Sequence, residues 1–303
     1  MDNPKVVELR RSRNFGDILN VTFEFLRQNI RQLTKAILFI SGPPMLVAAA
    51  IFGTSFGSLL GSFGGYDAPY GSIGALFLGL GVFMIAAMLM YAVVNEYVVL
   101  YAARGQPVEV SEVWMAIRQD FMMILVTSIG SIIIVALGFV LLIIPGIWLA
   151  TVLSIILMVR IEERLDFGQA ISRCFELVRG NWWFTFGVSM VMGIIAGFVG
   201  YVFQIPLLIL TGVSGFVAAD SVALLTIAIV IATMVGVIGR LMVNSLQTLA
   251  VAIQYYNLAE RYDGLGLITR IESIGSPAPV GNQDLSSNGA DRGIHQERDG
   301  LAR

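Results

Sequence analysis

The chain has 303 residues, of which 56% are hydrophobic and only 13% are charged, and this composition excludes an ordinary water-soluble domain. The formal net charge of −2 argues against nucleic acid as a main partner. The single cysteine, Cys174, excludes an intramolecular disulfide and a zinc site built from several thiolates. We therefore predict an integral membrane protein.

Four long stretches contain no Asp, Glu, Lys or Arg, and each exceeds the roughly 20 residues that cross a bilayer. They run from Ala36 to Tyr66, from Ala68 to Asn95, from Phe121 to Val159 and from Trp182 to Ala219. The third is long enough to cross twice, and Pro145-Gly146 marks the break because proline lacks an N–H and glycine tolerates turns. A last span begins near Ser221, and its helical pattern continues to about Arg261. The sequence thus predicts six transmembrane helices, because continuous apolar runs favour helices over a barrel.

Lysine and arginine residues lie on one side of these spans. Seven precede the first span, and most others lie between spans two and three, after span four or after the last helix. The loops Gly61–Gly74 and Thr211–Asp220 and the Pro145-Gly146 turn contain none. By the positive-inside rule we expect a multi-pass protein of the inner (cytoplasmic) membrane with both termini in the cytoplasm.

A cleavable signal peptide is the alternative interpretation of the first apolar run. Basic residues precede this run, and Val47-Ala48-Ala49-Ala50 is similar to a cleavage site. The run nevertheless begins late in the chain, is interrupted by Pro43-Pro44 and continues beyond the small residues. These features favour a membrane span.

A short amphipathic segment precedes each predicted pair of spans. The three segments are Phe15–Ile30, Val110–Phe121 and Phe167–Trp182, and alignment of the first with the third matches Phe15 with Phe167 and Arg27 with Arg179. Each is typical of an interfacial helix, with packing on the bundle as the alternative. The predicted fold is therefore an all-α membrane protein with six transmembrane helices in three parallel repeats, each an interfacial elbow helix followed by a helical hairpin.

Several short motifs resemble the family of the glycerophosphoryl diester phosphodiesterase membrane domain. They are Pro145-Gly146-Ile147-Trp148-Leu149, the acidic Glu162 or Glu163, Gln169-Ala170-Ile171-Ser172-Arg173 and Leu177-Val178-Arg179-Gly180-Asn181-Trp182. The resemblance covers roughly residues 15–263, and Cys174 stands where that family often has tryptophan. It implies an accessory membrane module connected with lipid or envelope metabolism. It implies no phosphodiesterase activity, because the catalytic barrel of such enzymes is missing and His295 is the only histidine.

Arg240 is the only basic residue inside an apolar run, and we place it near the inner interface, where its side chain can snorkel. With Asn244, Gln247 and Gln254 it forms a polar stripe, which is either a cavity lining or headgroup site, or a packing stripe. Glu96 is expected at a similar depth. We hypothesise an ion pair between Arg240 and Glu96.

Three arginines, Arg27, Arg118 and Arg179, recur at the same place in the three units. They are either phospholipid headgroup contacts or separate positive-inside anchors. Glu162 and Glu163 are expected to cap a helix or to pair with Arg160 and Arg164. Cys174 lies on an apolar helix face and is interpreted as a small hydrophobic residue rather than a nucleophile.

The predicted organisation is a cytoplasmic N-terminal segment with an interfacial helix (1–34), a six-span membrane domain (35–262) and a largely disordered cytoplasmic tail (263–303). No paired acid, base or metal ligands share a depth, so we predict no enzyme, cofactor or metal site. We expect a non-catalytic membrane module in lipid or cell-envelope processes that contacts membrane phospholipids, and a protein partner in the membrane is left open. A transporter or channel for a small solute is the alternative, indicated by Pro43-Pro44 and by Gln204 with Pro206.

Overall fold

The apolar runs form helices, because a helix satisfies its backbone N–H and C=O groups internally where lipid offers no partner. The computed structural model describes residues 7–63, 72–213 and 222–264, and in this part of the chain there are helices and no strand. The helices are α1 (Phe15–Ile40), α2 (Gly42–Phe63), α3 (Ser72–Arg104), α4 (Val110–Leu141), α5 (Ile143–Leu153), α6 (Ile156–Glu163), α7 (Phe167–Val178), α8 (Trp182–Val213) and α9 (Val222–Asp263). The predicted all-α membrane class is confirmed. The predicted tail begins at Asp263, which is the last residue of α9, and the part of it beyond Gly264, with His295, lies outside the described residues.

Five segments are long and apolar enough to cross a membrane, and a bent pair of helices raises this number to six. The five are α3 from Ile73, α4, α5 with α6, α8, and α9 from Ile227. Large apolar side chains such as Phe198 and Tyr201 on α8 are exposed, as expected for a lipid-facing surface. The chain is therefore a multi-pass membrane protein.

The bent pair is α1 with the Gly42–Phe52 part of α2, which meet at an angle of 56°. The elbow helix is longer than predicted, because α1 continues beyond Ile30 to Ile40. The break at Ser41 precedes Pro43 and Pro44, which cannot donate backbone hydrogen bonds to the preceding turn. The predicted first span, which begins at Ala36 in the first apolar run, is therefore divided between two helices.

The prediction of a separate second elbow helix is wrong, because α4 is continuous from Val110 to Leu141 with no boundary at Phe121. The polar residues at its start need no break, since Asp120 forms an ion pair with Arg164 at 2.5 Å. The third elbow is a separate helix, α7, and the backbone turns after it at Gly180, whose φ is +78°. The three segments therefore differ in form, and the threefold repeat stays a prediction.

Asn14 with Asp17, and Asp166 with Gln169, have the sequence spacing of an N-cap and its N3 partner, which predicts a cap at the start of α1 and of α7. At α7 the backbone N–H of Gln169 donates to Asp166 Oδ1 at 2.9 Å, and the Gln169 side chain accepts from the Asp166 N–H. At α1 the N–H of Asn14 donates to Asp17 Oδ2 at 3.4 Å. Both helices thus begin with a reciprocal capping arrangement, which satisfies N–H groups that lack a partner within the helix.

Helices α4 and α5 form the hairpin expected near Pro145-Gly146, although the reversal itself is at Leu142, which has an extended backbone. Pro145 lies in the first turn of α5, where its missing N–H costs nothing. Gly138 and Gly146 let the two helices approach closely. A Cβ on Gly146 would lie 2.9 Å from Phe139 Cα, and one on Gly138 would lie 3.2 Å from Gly146 Cα.

Candidate functional site

A cavity of about 640 Å³ lies between α3, α4, α5, α6, α8 and α9. Its volume is in the range of small-molecule sites. Most of its wall is apolar, with Met88 on α3, Phe139 on α4, Ile147 on α5 and Phe186 on α8. No charged residue is among those that line it in the described part of the chain. The cavity is therefore suited to an apolar or amphiphilic molecule.

One wall of the cavity contains a break in a membrane-spanning segment. Helix α5 ends at Leu153 and α6 begins at Ile156, and Ser154 between them lines the cavity. The Ser154 hydroxyl donates to the carbonyl of Thr151 at 2.8 Å. The backbone of Ser154 and Ile155 stays in the right-handed helical region, so the span continues through this interruption as one segment.

Hydroxyl groups from both arms of the α4–α5 hairpin and from α9 line the cavity. Their protons go to carbonyls of their own helices, so the hydroxyl oxygens remain as acceptors. Thr127 donates to Met123 O at 2.6 Å, Ser131 to Ser128 O at 3.0 Å, Thr151 to Ile147 O at 2.9 Å and Thr248 to Asn244 O at 3.2 Å. The wall thus offers a set of hydrogen-bond acceptors among apolar side chains.

Ser189 on α8 and Gln247 on α9 add a second polar group to this wall. Gln247 Nε2 donates to the carbonyl of Ser189 at 3.5 Å, and a Cβ on Gly193 would lie 3.3 Å from that nitrogen. The Ser189 hydroxyl is buried and has no hydrogen-bond partner among the residues that the structure describes. A buried hydroxyl without a partner is costly, so this position favours a bound polar group.

Arg160 on α6 is a buried cation next to this cavity, with 8% of the residue exposed. Its Nη1 donates to Thr127 Oγ1 at 2.7 Å and to Met123 O at 3.4 Å, and its Nε donates to Leu165 O at 3.1 Å. Thr127 lines the cavity, so it connects the guanidinium with the cavity wall. The prediction that Arg160 pairs with Glu162 or Glu163 is wrong.

The two glutamates at the end of α6 have other partners, because they face α9, α7 and the N-terminal segment. Glu162 accepts from Arg10 and from the Tyr256 hydroxyl, the latter at 2.9 Å. Glu163 accepts from the Tyr255 hydroxyl at 2.9 Å and from Arg173 Nε at 2.9 Å. Arg164 pairs with Asp120 rather than with either glutamate. These contacts attach α6 to the last turns of α9.

Arg173 connects this group with the end of α9, since its Nη2 also contacts Asp263 Oδ2 at 2.6 Å. Burial alone lowers the pKa of Arg173, but Asp263 and Glu163 outweigh it and raise the pKa above its ordinary value. Arg173 therefore keeps its charge and holds two acidic side chains. Cys174 beside it is buried, and burial raises the pKa of its thiol, as expected for the predicted hydrophobic role.

A further polar group closes the same end of the bundle. Asn257 Oδ1 accepts from the Arg13 N–H at 2.8 Å, and its Nδ2 donates to Gln254 Oε1 at 3.1 Å. Gln254 Nε2 donates to Thr185 Oγ1 at 3.0 Å. Arg261 donates to the carbonyl of Arg13 at 2.7 Å. The N-terminal segment is thereby attached to α9, and Gln254 has a packing role.

The predicted ion pair between Arg240 and Glu96 is not formed. Glu96 is only 1% exposed, and its Oε1 has no hydrogen-bond partner among the described residues. Arg240 is exposed on α9. The prediction rested on counting residues along each helix, which estimates depth but not the direction in which a side chain points. Here Glu96 points into the bundle and Arg240 lies on an exposed face.

The predicted polar stripe on α9 is divided by the structure. Gln247 lines the cavity, whereas Gln254 is fully buried against α8. Asn244 is partly buried, and its carbonyl accepts from Thr248. Arg240 does not line the cavity. The stripe therefore contributes one lining side chain rather than a continuous site.

The three recurring arginines lie at different places on their helices. Arg27 is on α1, Arg118 is on α4, and Arg179 is the C-cap residue of α7. All three are exposed, and none forms a salt bridge within the described ranges. Exposure leaves them accessible to headgroups or to water, which are the two interpretations that the sequence left open.

Sequence reasoning missed the cavity, the hydroxyl groups that line it and the position of Arg160 beside it. A signal was present, because Thr127, Ser128 and Ser131 lie on one helical face and Thr151 and Ser154 lie three residues apart on the facing arm. Serine and threonine are common in apolar helices, where they bond to their own backbone. Only the packing of α3, α8 and α9 around the hairpin distinguishes a cavity lining from ordinary helix surface.

Comparison with protein-family models, with curated proteins and with solved structures gave no match.

Proposed function

We propose that the protein is a non-catalytic membrane module that binds an amphiphilic lipid in the cavity. The observation that carries this proposal is the composition of the cavity wall, in which apolar side chains alternate with hydroxyl and amide groups and no described lining residue is charged. Such a wall accepts an acyl chain and hydrogen-bonds a polar group. A water-soluble ionic solute would lose its hydration there without compensation.

Access from the membrane supports a lipid ligand. Met84, Tyr91, Ile132 and Met190 line the cavity and also rank among the exposed large hydrophobic residues. These side chains lie on α3, α4 and α8, which are apolar enough to span a membrane. A lipid can therefore reach the cavity laterally from the bilayer without crossing water.

The proposed setting is the inner membrane, with both termini in the cytoplasm and a role in lipid or cell-envelope processes. The distribution of basic residues in the sequence supports this orientation. The exposed Arg27, Arg118 and Arg179 are proposed to contact phospholipid headgroups at the cytoplasmic surface. The elbow-and-hairpin repeat and the resemblance to the phosphodiesterase membrane domain belong to the same proposal.

A transporter for a small solute is the second candidate, and one observation favours it. The span from Ile143 to Glu163 is interrupted between α5 and α6 at Ser154, which lines the cavity. Discontinuous helices that line a polar site are typical of transporters. In that case the ligand would be a soluble molecule that leaves the cavity on both sides of the membrane.

Native mass spectrometry of the purified protein tests the proposal. Ala150 on α5 lines the cavity, so Ala150→Trp should fill it and remove a co-purified lipid. Ala136 on α4 is exposed and does not line the cavity, so Ala136→Trp is the matched control and should retain the lipid.

Two results would contradict the proposal. One is wild-type protein that carries no lipid above the level of bulk detergent-solubilised phospholipid. The other is equal loss of lipid from both tryptophan variants. Co-purification of a soluble solute, lost in Ala150→Trp alone, would favour the transporter.

A further inference from the structure

We propose that the bound amphiphile carries an anionic headgroup, a carboxylate or a phosphate, and that Arg160 binds this group at one end of the cavity. The inference rests on the proposed function and specifies the class of lipid. It depends on three observations: the burial of Arg160, its lack of an acidic partner and its position beside the cavity.

Arg160 lies in a membrane-spanning segment and is 8% exposed. Its hydrogen bonds to described residues are with neutral acceptors, namely two carbonyls and the hydroxyl of Thr127. No carboxylate within the described residues forms a salt bridge with it. A buried charge in a membrane protein normally has an ion partner or marks a functional site, and no acidic side chain in the described part of the chain bonds to Arg160.

The acidic residues near Arg160 in sequence are engaged elsewhere. Glu162 and Glu163 bind Arg10 and Arg173, respectively, and Asp166 accepts from the N–H of Gln169 as the N-cap of α7. The charge of Asp166 also acts on Arg160, but none of these three carboxylates bonds to the guanidinium, so its remaining N–H group is left for an external anion.

Arg160 follows the cavity lining along one face of α6. Ile156 and Leu157 line the cavity, and they precede Arg160 by four and three residues, which places the three side chains on the same side of the helix. Thr127 lines the cavity from α4 and is hydrogen-bonded to the guanidinium at 2.7 Å. The guanidinium is therefore one helical turn beyond the lined region.

The guanidinium retains donors for a ligand. Nε and Nη1 donate to protein acceptors, but Nη2 has no acceptor among the described residues. Nη2 is also not fully buried, so a ligand can reach it. A planar guanidinium with free N–H groups binds the two oxygens of a carboxylate or phosphate with favourable geometry. The hydroxyl oxygens of the wall can only accept while their protons stay on the helix carbonyls, so Arg160 is the strongest donor bordering the cavity.

Two matched pairs of photoactivatable lipids test the headgroup. The purified full-length protein is incubated in nanodiscs of neutral phosphatidylcholine with diazirine-labelled palmitic acid or the corresponding alcohol, and with labelled phosphatidic acid or the corresponding diacylglycerol. Labelling of cavity peptides from α3, α4 and α5 is quantified by mass spectrometry. We expect the acidic member of at least one pair to bind at least tenfold more tightly than its neutral partner. Preference in the first pair identifies a carboxylate, and preference in the second pair identifies a phosphate.

Variants assign the preference to Arg160. Arg160→Gln should reduce the acid-to-neutral ratio to about one while labelling by the neutral lipid remains, and Arg160→Lys should restore part of the ratio. Arg31→Gln is the matched control because Arg31 is exposed on α1, has no proposed headgroup role and does not line the cavity, so it should leave the ratio unchanged. Should Arg160→Gln fail to fold, the comparison within each pair on the wild-type protein decides whether the headgroup is anionic, and a ratio unchanged in Arg160→Lys would overturn the role of Arg160.

The failure of this inference differs from the failure of the proposed function. Equal labelling of the cavity by the acidic and neutral lipids, or a ratio that persists in Arg160→Gln, would overturn the role of Arg160 while leaving lipid binding intact. Absence of cavity labelling by all four lipids would overturn both.

Discussion

Replacement of Gly146 by alanine is expected to destabilise the α4–α5 hairpin and, with it, the cavity. The added Cβ would lie 2.5 Å from Cγ and Cδ1 of Phe139 and 2.9 Å from Phe139 Cα. A different χ1 rotamer of Phe139 can relieve the first two contacts, which involve the side chain. It cannot relieve the third, because Cα belongs to the backbone. The two helices must therefore separate at their closest point.

The expected cost follows from the kind of contact. Overpacking of a well-packed core typically costs about 1–3 kcal/mol, and a backbone clash belongs at the upper end of that range. Gly138→Ala should cost less, about 1–2 kcal/mol, because its shortest contact is Leu149 Cδ1 at 2.7 Å and its backbone contact is longer, at 3.2 Å. Gly197→Ala on α8 is the control. Nothing lies within 4 Å of its added Cβ, so it should be neutral or stabilise by about 0.5–1 kcal/mol.

Stability is measured by reversible denaturant titration of the purified protein in mixed micelles, with tryptophan fluorescence as the signal. Trp148 lies in α5 and should report the separation of the hairpin directly. We expect Gly197→Ala to be the most stable variant, Gly138→Ala to be less stable and Gly146→Ala to be the least stable. Gly146→Ala as stable as the wild type would refute the close approach of the two helices.

Other substitutions test the remaining contacts. Tyr256→Phe removes the hydroxyl that donates to Glu162 and should cost about 1.5–3 kcal/mol in the same titration, as should Tyr255→Phe. Glu96→Gln should leave stability unchanged or increase it, because the buried carboxyl has an unpaired oxygen, and its coupling to Arg240→Gln in a double-mutant cycle should be near zero. A coupling free energy above about 0.5 kcal/mol would show that Glu96 and Arg240 do interact. Cys174 should react slowly with maleimide even at pH 9, because burial raises its thiol pKa, and rapid labelling of the folded protein would contradict that burial.

The amino-acid sequence by itself determined the membrane class and the general positions of most helices. Long runs without charges have only one stable arrangement in lipid, so α3, α8 and α9 could be located from composition alone. Local chemistry also placed the break between α4 and α5 near Pro145 and the capping residues of α1 and α7, since both depend on neighbours within a few residues.

Only the tertiary structure decided which side chains meet. Depth along a helix can be counted, but the face that a side chain occupies relative to other helices depends on how all of them pack. Arg240 and Glu96 were therefore paired wrongly, and Glu162 and Glu163 were assigned to the nearest arginines in sequence instead of to Arg10 and Arg173. The cavity exists because a tight glycine hairpin, a broken helix and three distant helices surround one space, and no single segment carries that information.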